Sequence, residues 1–129
     1  MIGLKVKKKY LVVIATVITV IVLYYVFSSM PQPPGQYDDF AKCLTEKGAT
    51  LYGAYWCPHC QSQKAMFGSS KKYLNYVECD PNGDNANPNL CKSNGITGYP
   101  TWIINGTHYE NKQSLERISS LTNCSLPSE

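Results

Sequence analysis

The 129-residue sequence predicts an α/β domain preceded by one membrane-crossing helix. Three observations support this prediction. The first is an N-terminal run of eighteen residues without a charge, residues 10–27. The second is the order of elements predicted behind this run, α-β-α-β-α-β-β-α, with no internal repeat. The third is a pair of cysteines, Cys57 and Cys60, placed where the first predicted strand meets the next helix.

The charge-free run, residues 10–27, has the length of a membrane-spanning helix. Eighteen helical residues extend about 27 Å, which is close to the thickness of the hydrocarbon core of a bilayer. Backbone groups in lipid must pair with one another, so the run is predicted to be helical despite its many β-branched residues. We therefore predict a transmembrane anchor over residues 10–29.

Charged and aromatic residues at the two ends orient this anchor. Four lysines stand within the first nine residues, and Tyr24 and Tyr25 lie near the other end. Lysines favour the cytoplasmic side, so residues 1–9 are predicted to form a cytoplasmic basic segment of a single-pass cell-membrane protein whose remaining chain is extracytoplasmic. The alternative is a cleaved signal peptide, although the run is long for one and no clear A-x-A site follows it.

A proline-rich linker, residues 30–36, is predicted to be extended and to precede a domain over residues 37–126. The first helix of the domain should run to about Lys47, because a glycine follows there and favours termination. Asp38 or Asp39 is the expected N-cap, since a short carboxylate side chain can accept from the free backbone N–H groups of a helix start.

The rest of the domain alternates between strands and helices. Apolar periodicity, turn residues and an Asn-Gly pair give the boundaries. We predict a strand over 49–55, a helix over 58–67, a strand over 73–79, a loop over 80–87 and a short helix over 88–94. The segment 96–104 then contains a strand after Pro100, followed by a turn at Asn105-Gly106, a strand over 107–110 and a helix over 114–121.

The charge and the cysteine content of the sequence indicate its cellular compartment and the kinds of partner it could bind. The formal net charge of +3 comes from the N-terminal lysines, since basic and acidic residues nearly balance from residue 31 onward. No basic patch indicates a nucleic-acid partner. All six cysteines lie in the last two thirds of the chain, and an even number so closely spaced favours an oxidising compartment.

The two cysteines at the strand–helix junction point to thiol–disulfide exchange. A helix N-terminus stabilises a thiolate, and the thiolate is the nucleophile in this chemistry. Cys57 would stand at that N-terminus, and Cys60 is one helical turn away, close enough to form a disulfide with it. Pro58 fits the first helical position, where its missing N–H costs nothing.

Several motifs carry a resemblance to a known family. They are WCPHC, YVECDPNG, a later cysteine, GYPTW and INGxxY. Over residues 37–124 the chain resembles the thioredoxin fold, and more narrowly the thioredoxin-like domains fused to bacterial and archaeal vitamin K epoxide reductase homologues. The resemblance implies a central mixed four-stranded sheet flanked by helices. The four-helix, quinone-linked part of those fusions is not in this sequence, which implies a separate membrane redox partner, quinone-linked and similar to vitamin K epoxide reductase or DsbB.

The resemblance also implies roles for individual residues. Cys57 matches the attacking cysteine of the family and Cys60 the resolving cysteine. Pro100 matches a cis-proline that lies against the active-site disulfide and leaves the backbone of Tyr99 free to pair with a substrate peptide. Many relatives carry a buried carboxylate six residues before the first cysteine. Here that position is Leu51, so the sequence names no acceptor for the proton of the resolving thiol.

Three residues next to the cysteines are expected to modulate the reactivity of the thiols. Pro58 and His59 form the dipeptide seen in DsbA-type oxidases, and a charged His59 would help the helix end to stabilise a thiolate. A stabilised reduced form makes the disulfide a stronger oxidant. Trp56 is expected either to shield the thiols or to contact the substrate.

The four remaining cysteines are candidates for two further disulfides. Cys79 and Cys91 enclose a short loop, for which a structural disulfide is worth about 3 kcal/mol. The alternative is a second redox pair that relays electrons to or from the active pair. Cys43 and Cys124 would then form the third pair, although six cysteines allow fifteen pairings.

Three functions fit these observations. The leading hypothesis is a membrane-anchored, extracytoplasmic enzyme that oxidises or isomerises disulfides in cysteine-containing exported proteins during folding. The second is a tethered reductase in a maturation pathway. The third is a metal-binding module using Cys57, His59 and Cys60, but three ligands fall short of the usual four, so we predict no metal. No cofactor and no oligomer are indicated, and we expect a monomer.

Overall fold

The computed structural model describes residues 7–30 and 33–128. The chain divides into two compact units, one ending at Pro33 and the other beginning at Pro34. The predicted basic segment, residues 1–9, and the predicted linker, residues 30–36, fall partly on residues 1–6 and 31–32, which lie outside the described parts.

The first unit is one long helix, α1 (Lys8–Ser28). It begins two residues earlier than the predicted anchor, so its first turn includes Lys8 and Lys9. Hydroxyl groups of Thr16 and Thr19 donate to carbonyl oxygens of the preceding turn, so these polar side chains are satisfied within the helix. Among the described residues, α1 is the one helix whose length and composition would suit a membrane span.

The second unit is built on one mixed four-stranded sheet. Its strands are β1 (Thr50–Gly53), β2 (Asn75–Glu78), β3 (Thr101–Ile104) and β4 (Thr107–Glu110). Their spatial order is β2-β1-β3-β4. β1 runs parallel to β2 and antiparallel to β3, and β3 runs antiparallel to β4. This is the thioredoxin-like sheet that the resemblance implied, so the predicted fold class is confirmed.

Four α-helices and one 3₁₀ helix flank this sheet. They are α2 (Asp38–Glu46), α3 (Pro58–Ala65), the 3₁₀ helix Gly68–Tyr73, α4 (Pro88–Ser93) and α5 (Leu115–Thr122). The core lies between the sheet and these helices, with Phe40 of α2 stacked on Phe67 at a centroid distance of 5.9 Å. Trp102 of β3 is completely buried in the same cluster. Burial of these rings supplies the main apolar area of the domain.

Several predicted boundaries were wrong. The predicted strand over 49–55 ends at Gly53, because the chain then turns with a bond from the N–H of Cys57 to the carbonyl of Ala54. The predicted helix over 58–67 ends at Ala65.

Neither Asp38 nor Asp39 is the N-cap of α2: Tyr37 holds that position without a side-chain cap, and both carboxylates lie in the first turn. Acidic groups there still favour the positive end of the helix. The predicted strand over 73–79 begins at Asn75, because the 3₁₀ helix extends to Tyr73.

The predicted hairpin turn is present. Asn105 and Gly106 both have positive φ, 51° and 76°, as a two-residue type I′ turn requires. The turn sets the register that pairs Ile104 with Thr107.

Candidate active site

The thiol pair lies where β1 leads into α3. Cys57 is the N-cap of α3, and its sulfur accepts a hydrogen bond from the backbone N–H of Cys60 at 3.3 Å. Pro58 occupies the first helical turn, where no backbone donor is lost. The sulfur of Cys57 therefore lies at the positive end of the helix dipole, which stabilises a thiolate.

The two thiols differ in environment. Both are free in this structure, and Cys60 is completely buried whereas Cys57 retains 5% exposure. Burial, followed by its hydrogen bond with Cys57, raises the pKa of the Cys60 thiol to about 12. Cys60 therefore keeps its proton at neutral pH and needs an acceptor for that proton before it can act as a nucleophile.

The Tyr99–Pro100 segment lies beside the first thiol. The peptide bond between these two residues is cis. The carbonyl oxygen of Tyr99 accepts from the thiol of Cys57 at 3.9 Å, and Pro100 is fully buried. The resemblance predicts a substrate-pairing role for this segment, and the structure places its carbonyl beside the sulfur of Cys57.

Trp56 and His59 both face solvent next to the thiols. The indole of Trp56 is 55% exposed, and its ring meets the ring of Tyr99 edge-on at 6.4 Å. Its N–H donates to Oδ2 of Asp80 at 2.8 Å. The backbone N–H of Asn82 first, and then this bond from Trp56, lower the pKa of the Asp80 carboxyl. The ring of Trp56 is thus held at the rim rather than folded over the thiols.

Sequence reasoning missed a buried carboxylate behind the thiols. Glu78 of β2 is only 5% exposed, and its Oε2 accepts from the hydroxyl of Tyr76 at 2.8 Å. Its Oε1 accepts from the backbone N–H of Asp80 at 3.0 Å. An acidic residue inside a predicted strand, two residues from a tyrosine on the same face, was the available signal.

Gly53 brings this carboxylate network close to the resolving cysteine. A β-carbon on Gly53 would lie 2.8 Å from the sulfur of Cys60 and 3.2 Å from the hydroxyl oxygen of Tyr76. Real β-carbons are not found at the first of these distances, so a side chain here would fill the space that both groups border, and glycine leaves it open.

The other four cysteines form two disulfides. Cys79 is joined to Cys91, with Cα atoms 5.8 Å apart, and Cys43 is joined to Cys124 at 5.9 Å. Tyr99 packs against the Cys79–Cys91 cluster and also against the cluster that contains the free thiols. One residue, Tyr99, therefore contacts both the Cys79–Cys91 disulfide cluster and the cluster of the active pair.

The third hypothesis was a metal-binding module using Cys57, His59 and Cys60. Across residues 7–30 and 33–128, no three His, Cys, Asp or Glu side chains are grouped as ligands for an ion.

The chain is similar in sequence to a known thiol-disulfide oxidoreductase. The chain is 43% identical over 90 residues to the thiol-disulfide oxidoreductase LTO1 of Arabidopsis thaliana, a match covering 67% of this chain and 24% of that protein. The chain thus spans about a quarter of the length of this relative. No protein-family model matches the chain.

A comparison with solved structures found a weaker similarity. Oxidised glutaredoxin 2 from Chlamydomonas reinhardtii superposes with a TM-score of 0.41 and 18% identity, covering 70% of this chain and 95% of that one. Similarity at this level adds nothing to the fold already established by the sheet order and strand directions.

Proposed function

We propose that this chain is a membrane-anchored thiol–disulfide oxidoreductase that acts through Cys57 and Cys60. The observation that carries the proposal is the position of the Cys57 sulfur. It caps α3 and accepts the N–H of Cys60, an arrangement that stabilises the thiolate required for exchange. The 43% identity to a thiol-disulfide oxidoreductase supports the same chemistry.

In the oxidising direction the enzyme begins with a Cys57–Cys60 disulfide. A client thiolate attacks the sulfur of Cys57, the enzyme disulfide breaks, and Cys60 leaves as a thiolate that takes up a proton. A second client thiolate then attacks the mixed disulfide and releases Cys57. The client gains a disulfide, the enzyme gains two electrons, and reoxidation requires a separate partner.

Compartment and partners follow from other parts of the chain. Two disulfides outside the active pair are typical of proteins in an oxidising compartment. A helix suited to crossing a membrane precedes the domain, and lysines stand at its start. We therefore propose extracytoplasmic, cysteine-containing client proteins, and a quinone-linked membrane partner, similar to vitamin K epoxide reductase or DsbB, that reoxidises the pair.

The exposed rim of the site supports a protein client. Trp56 and Tyr55 are both about half exposed beside the thiols, and the backbone of Tyr99 reaches the sulfur of Cys57. Aromatic surface of this kind suits contact with an extended peptide, since it offers large area at small entropic cost. A small thiol such as glutathione would use little of it.

The direction of electron flow is tested by the reduction potential of the pair. The full-length chain in detergent micelles is equilibrated in graded glutathione buffers, and Cys57 and Cys60 are then trapped by alkylation. We expect a value nearer the DsbA end, roughly −120 mV, than the thioredoxin end, roughly −270 mV, because of the Pro-His dipeptide.

Two other results would change the proposal. A potential near the thioredoxin end would indicate the tethered reductase instead of the oxidase. No exchange at any glutathione ratio would overturn the enzymatic function itself. A Cys60→Ser variant serves as the reference, because it forms the mixed disulfide at Cys57 but cannot close the intramolecular one.

A further inference from the structure

Cys60 has a proton that its surroundings make difficult to remove. The thiol is completely buried, and burial raises its pKa to about 12. When Cys60 resolves a mixed disulfide at Cys57, it must react as a thiolate. The position six residues before the first cysteine is Leu51, which is buried in the apolar core and can accept no proton.

The neighbouring strand, β2, carries a phenol and a carboxylate close to the position of Leu51. β1 and β2 run in parallel, and their register pairs Leu51 with Tyr76 and Gly53 with Glu78. Tyr76 and Glu78 are two residues apart and so project from the same face of the sheet. The absent β-carbon of Gly53 leaves the hydroxyl of Tyr76 and the sulfur of Cys60 on either side of one small space.

Glu78 is fixed as an acceptor behind this phenol. One carboxylate oxygen accepts from the Tyr76 hydroxyl at 2.8 Å and the other from the backbone N–H of Asp80 at 3.0 Å. The loop covers it so closely that a β-carbon on Gly83 would overlap its side chain. A buried carboxylate with two donors is held in one orientation, and it can receive a proton along the tyrosine bond.

One cationic side chain lies against the phenol ring. Lys64 of α3 lies 4.1 Å above the ring of Tyr76, and the sulfur of Cys60 borders the space left by Gly53. Burial first, and then the bond to Glu78, raises the pKa of the Tyr76 hydroxyl. The phenol therefore stays protonated and is suited to passing a proton on rather than to losing one permanently.

We propose that Glu78, acting through the hydroxyl of Tyr76, accepts the proton of Cys60 when Cys60 resolves a mixed disulfide at Cys57. The inference rests on the proposed oxidoreductase function. The Cys60 thiol gives its proton to the phenol oxygen while the phenol proton passes to the carboxylate. The Cys60 thiolate then attacks the sulfur of Cys57, the mixed disulfide breaks, and the bound thiol leaves as a thiolate.

The reverse reaction uses the same groups. When a client thiolate opens the Cys57–Cys60 disulfide, Cys60 leaves as a thiolate and Glu78 returns the proton through the phenol. No oxidant beyond the two disulfides is involved, and the proton is conserved between sulfur and carboxylate.

The test separates the two chemical steps. The reduced full-length chain in detergent micelles is mixed with excess oxidised glutathione, quenched with acid at increasing times, and analysed by mass spectrometry between about pH 6 and 10. Formation of the glutathione adduct reports attack by Cys57, and its decay to the intramolecular disulfide reports resolution by Cys60. The variants are Glu78→Gln and Tyr76→Phe, both close in shape to the native side chains.

We expect both variants to slow adduct decay about tenfold or more near pH 7, as loss of a positioned base does. The difference in the rate of adduct decay between wild type and variants should shrink as pH rises, because hydroxide then removes the proton of Cys60 directly. The double variant should be no slower than the slower single one, since the two residues form one relay. Adduct formation at the wild-type rate shows that each variant is folded.

Matched controls and contrary results complete the design. Tyr52→Phe removes a buried phenol that packs against Cys79 and Cys91, and Glu110→Gln removes an exposed carboxylate on β4. Both control variants should resolve the adduct at the wild-type rate.

Three results would contradict the proposals. If the rate of adduct decay depends on pH in Glu78→Gln and Tyr76→Phe as it does in the wild type, the relay is overturned. Faster adduct decay in Glu78→Gln also overturns the relay. It would mean that the carboxylate acts only by its negative charge, which opposes ionisation of Cys60 and is removed in the variant. A wild-type chain that forms or resolves no adduct overturns the oxidoreductase function together with the relay.

Discussion

At the scale of the residue, Gly53 has a tightly restricted position beside the resolving cysteine. We predict that Gly53→Ala lowers the free energy of unfolding by about 1–3 kcal/mol, the usual cost of inserting one methyl group into a packed site. The new β-carbon would lie 2.8 Å from the sulfur of Cys60 and 3.1 Å from a ring carbon of Tyr76, so at least one must shift. Urea unfolding of the reduced chain measures the loss.

Gly98→Ala is the matched control. A β-carbon there meets nothing within 4 Å, and its φ is not in the positive region that disfavours alanine. Its unfolding free energy should stay within about 0.5 kcal/mol of wild type. Equal stability of the two variants would show that the Gly53 site can expand, and the close approach of Cys60 and Tyr76 would then lose its significance.

Individual residues also show how far local sequence information reaches. Cys57, Pro58 and Cys60 could be placed from the sequence, because capping and helix-start preferences involve neighbours along the chain. Glu78 could not be placed, since its proximity to Cys60 depends on the register between two strands more than twenty residues apart. The bond from Trp56 to Asp80 is missed for the same reason.

At the scale of the element, strong local signals gave good boundaries. The Asn105-Gly106 turn and the strands around it lie where they were predicted, because a type I′ turn tolerates few other residue pairs. The 3₁₀ helix Gly68–Tyr73 was not predicted, since its start shows no apolar periodicity. The serine at its centre, Ser70, is buried and accepts the backbone N–H of Tyr37, a long-range contact that no local pattern shows.

The Cys79–Cys91 disulfide connects two such elements, the end of β2 and α4. We predict that replacing both cysteines by serine costs about 3 kcal/mol of stability, as expected for a bridge spanning 12 residues. We also predict that exchange of the Cys57–Cys60 pair with glutathione keeps its wild-type rate, as for a structural bridge. Urea unfolding and alkylation trapping measure the two effects.

The Cys43–Cys124 bridge provides the comparison. It spans 81 residues, so removing it by serine substitution should cost more, between about 4 and 5 kcal/mol. Slower exchange in the Cys79/Cys91 variant but not in the Cys43/Cys124 variant would contradict a purely structural role. That pattern would favour the electron relay, for which Tyr99 provides the contact between the two cysteine clusters.

At the scale of the whole molecule, the two units suggest different environments. Most residues of α1 carry apolar side chains and none is buried, whereas the domain has its own core and two disulfides. An exposed apolar helix of this length is stable only when lipid or protein covers it. We therefore predict that α1 stays attached to the domain and anchors it in a membrane.

Expression in a bacterium followed by membrane isolation tests this prediction. The chain should remain in the membrane after an alkaline carbonate wash, and N-terminal sequencing should return the lysine-rich start. A thiol reagent that cannot cross the membrane should label Cys57 in intact cells from which the outer membrane has been removed. A mature N-terminus near residue 31 would indicate a cleaved signal peptide instead.

The two tryptophans of the domain occupy opposite environments. Trp56 is more than half exposed and lies next to Cys57, whereas Trp102 is completely buried in the apolar core. Their fluorescence should therefore separate by wavelength, with Trp56 emitting towards the red and Trp102 towards the blue. With Trp102→Phe the remaining emission comes from the rim of the active site alone. We therefore expect the emission of Trp56 in that variant to report the redox state of the neighbouring thiols in real time, without an added label.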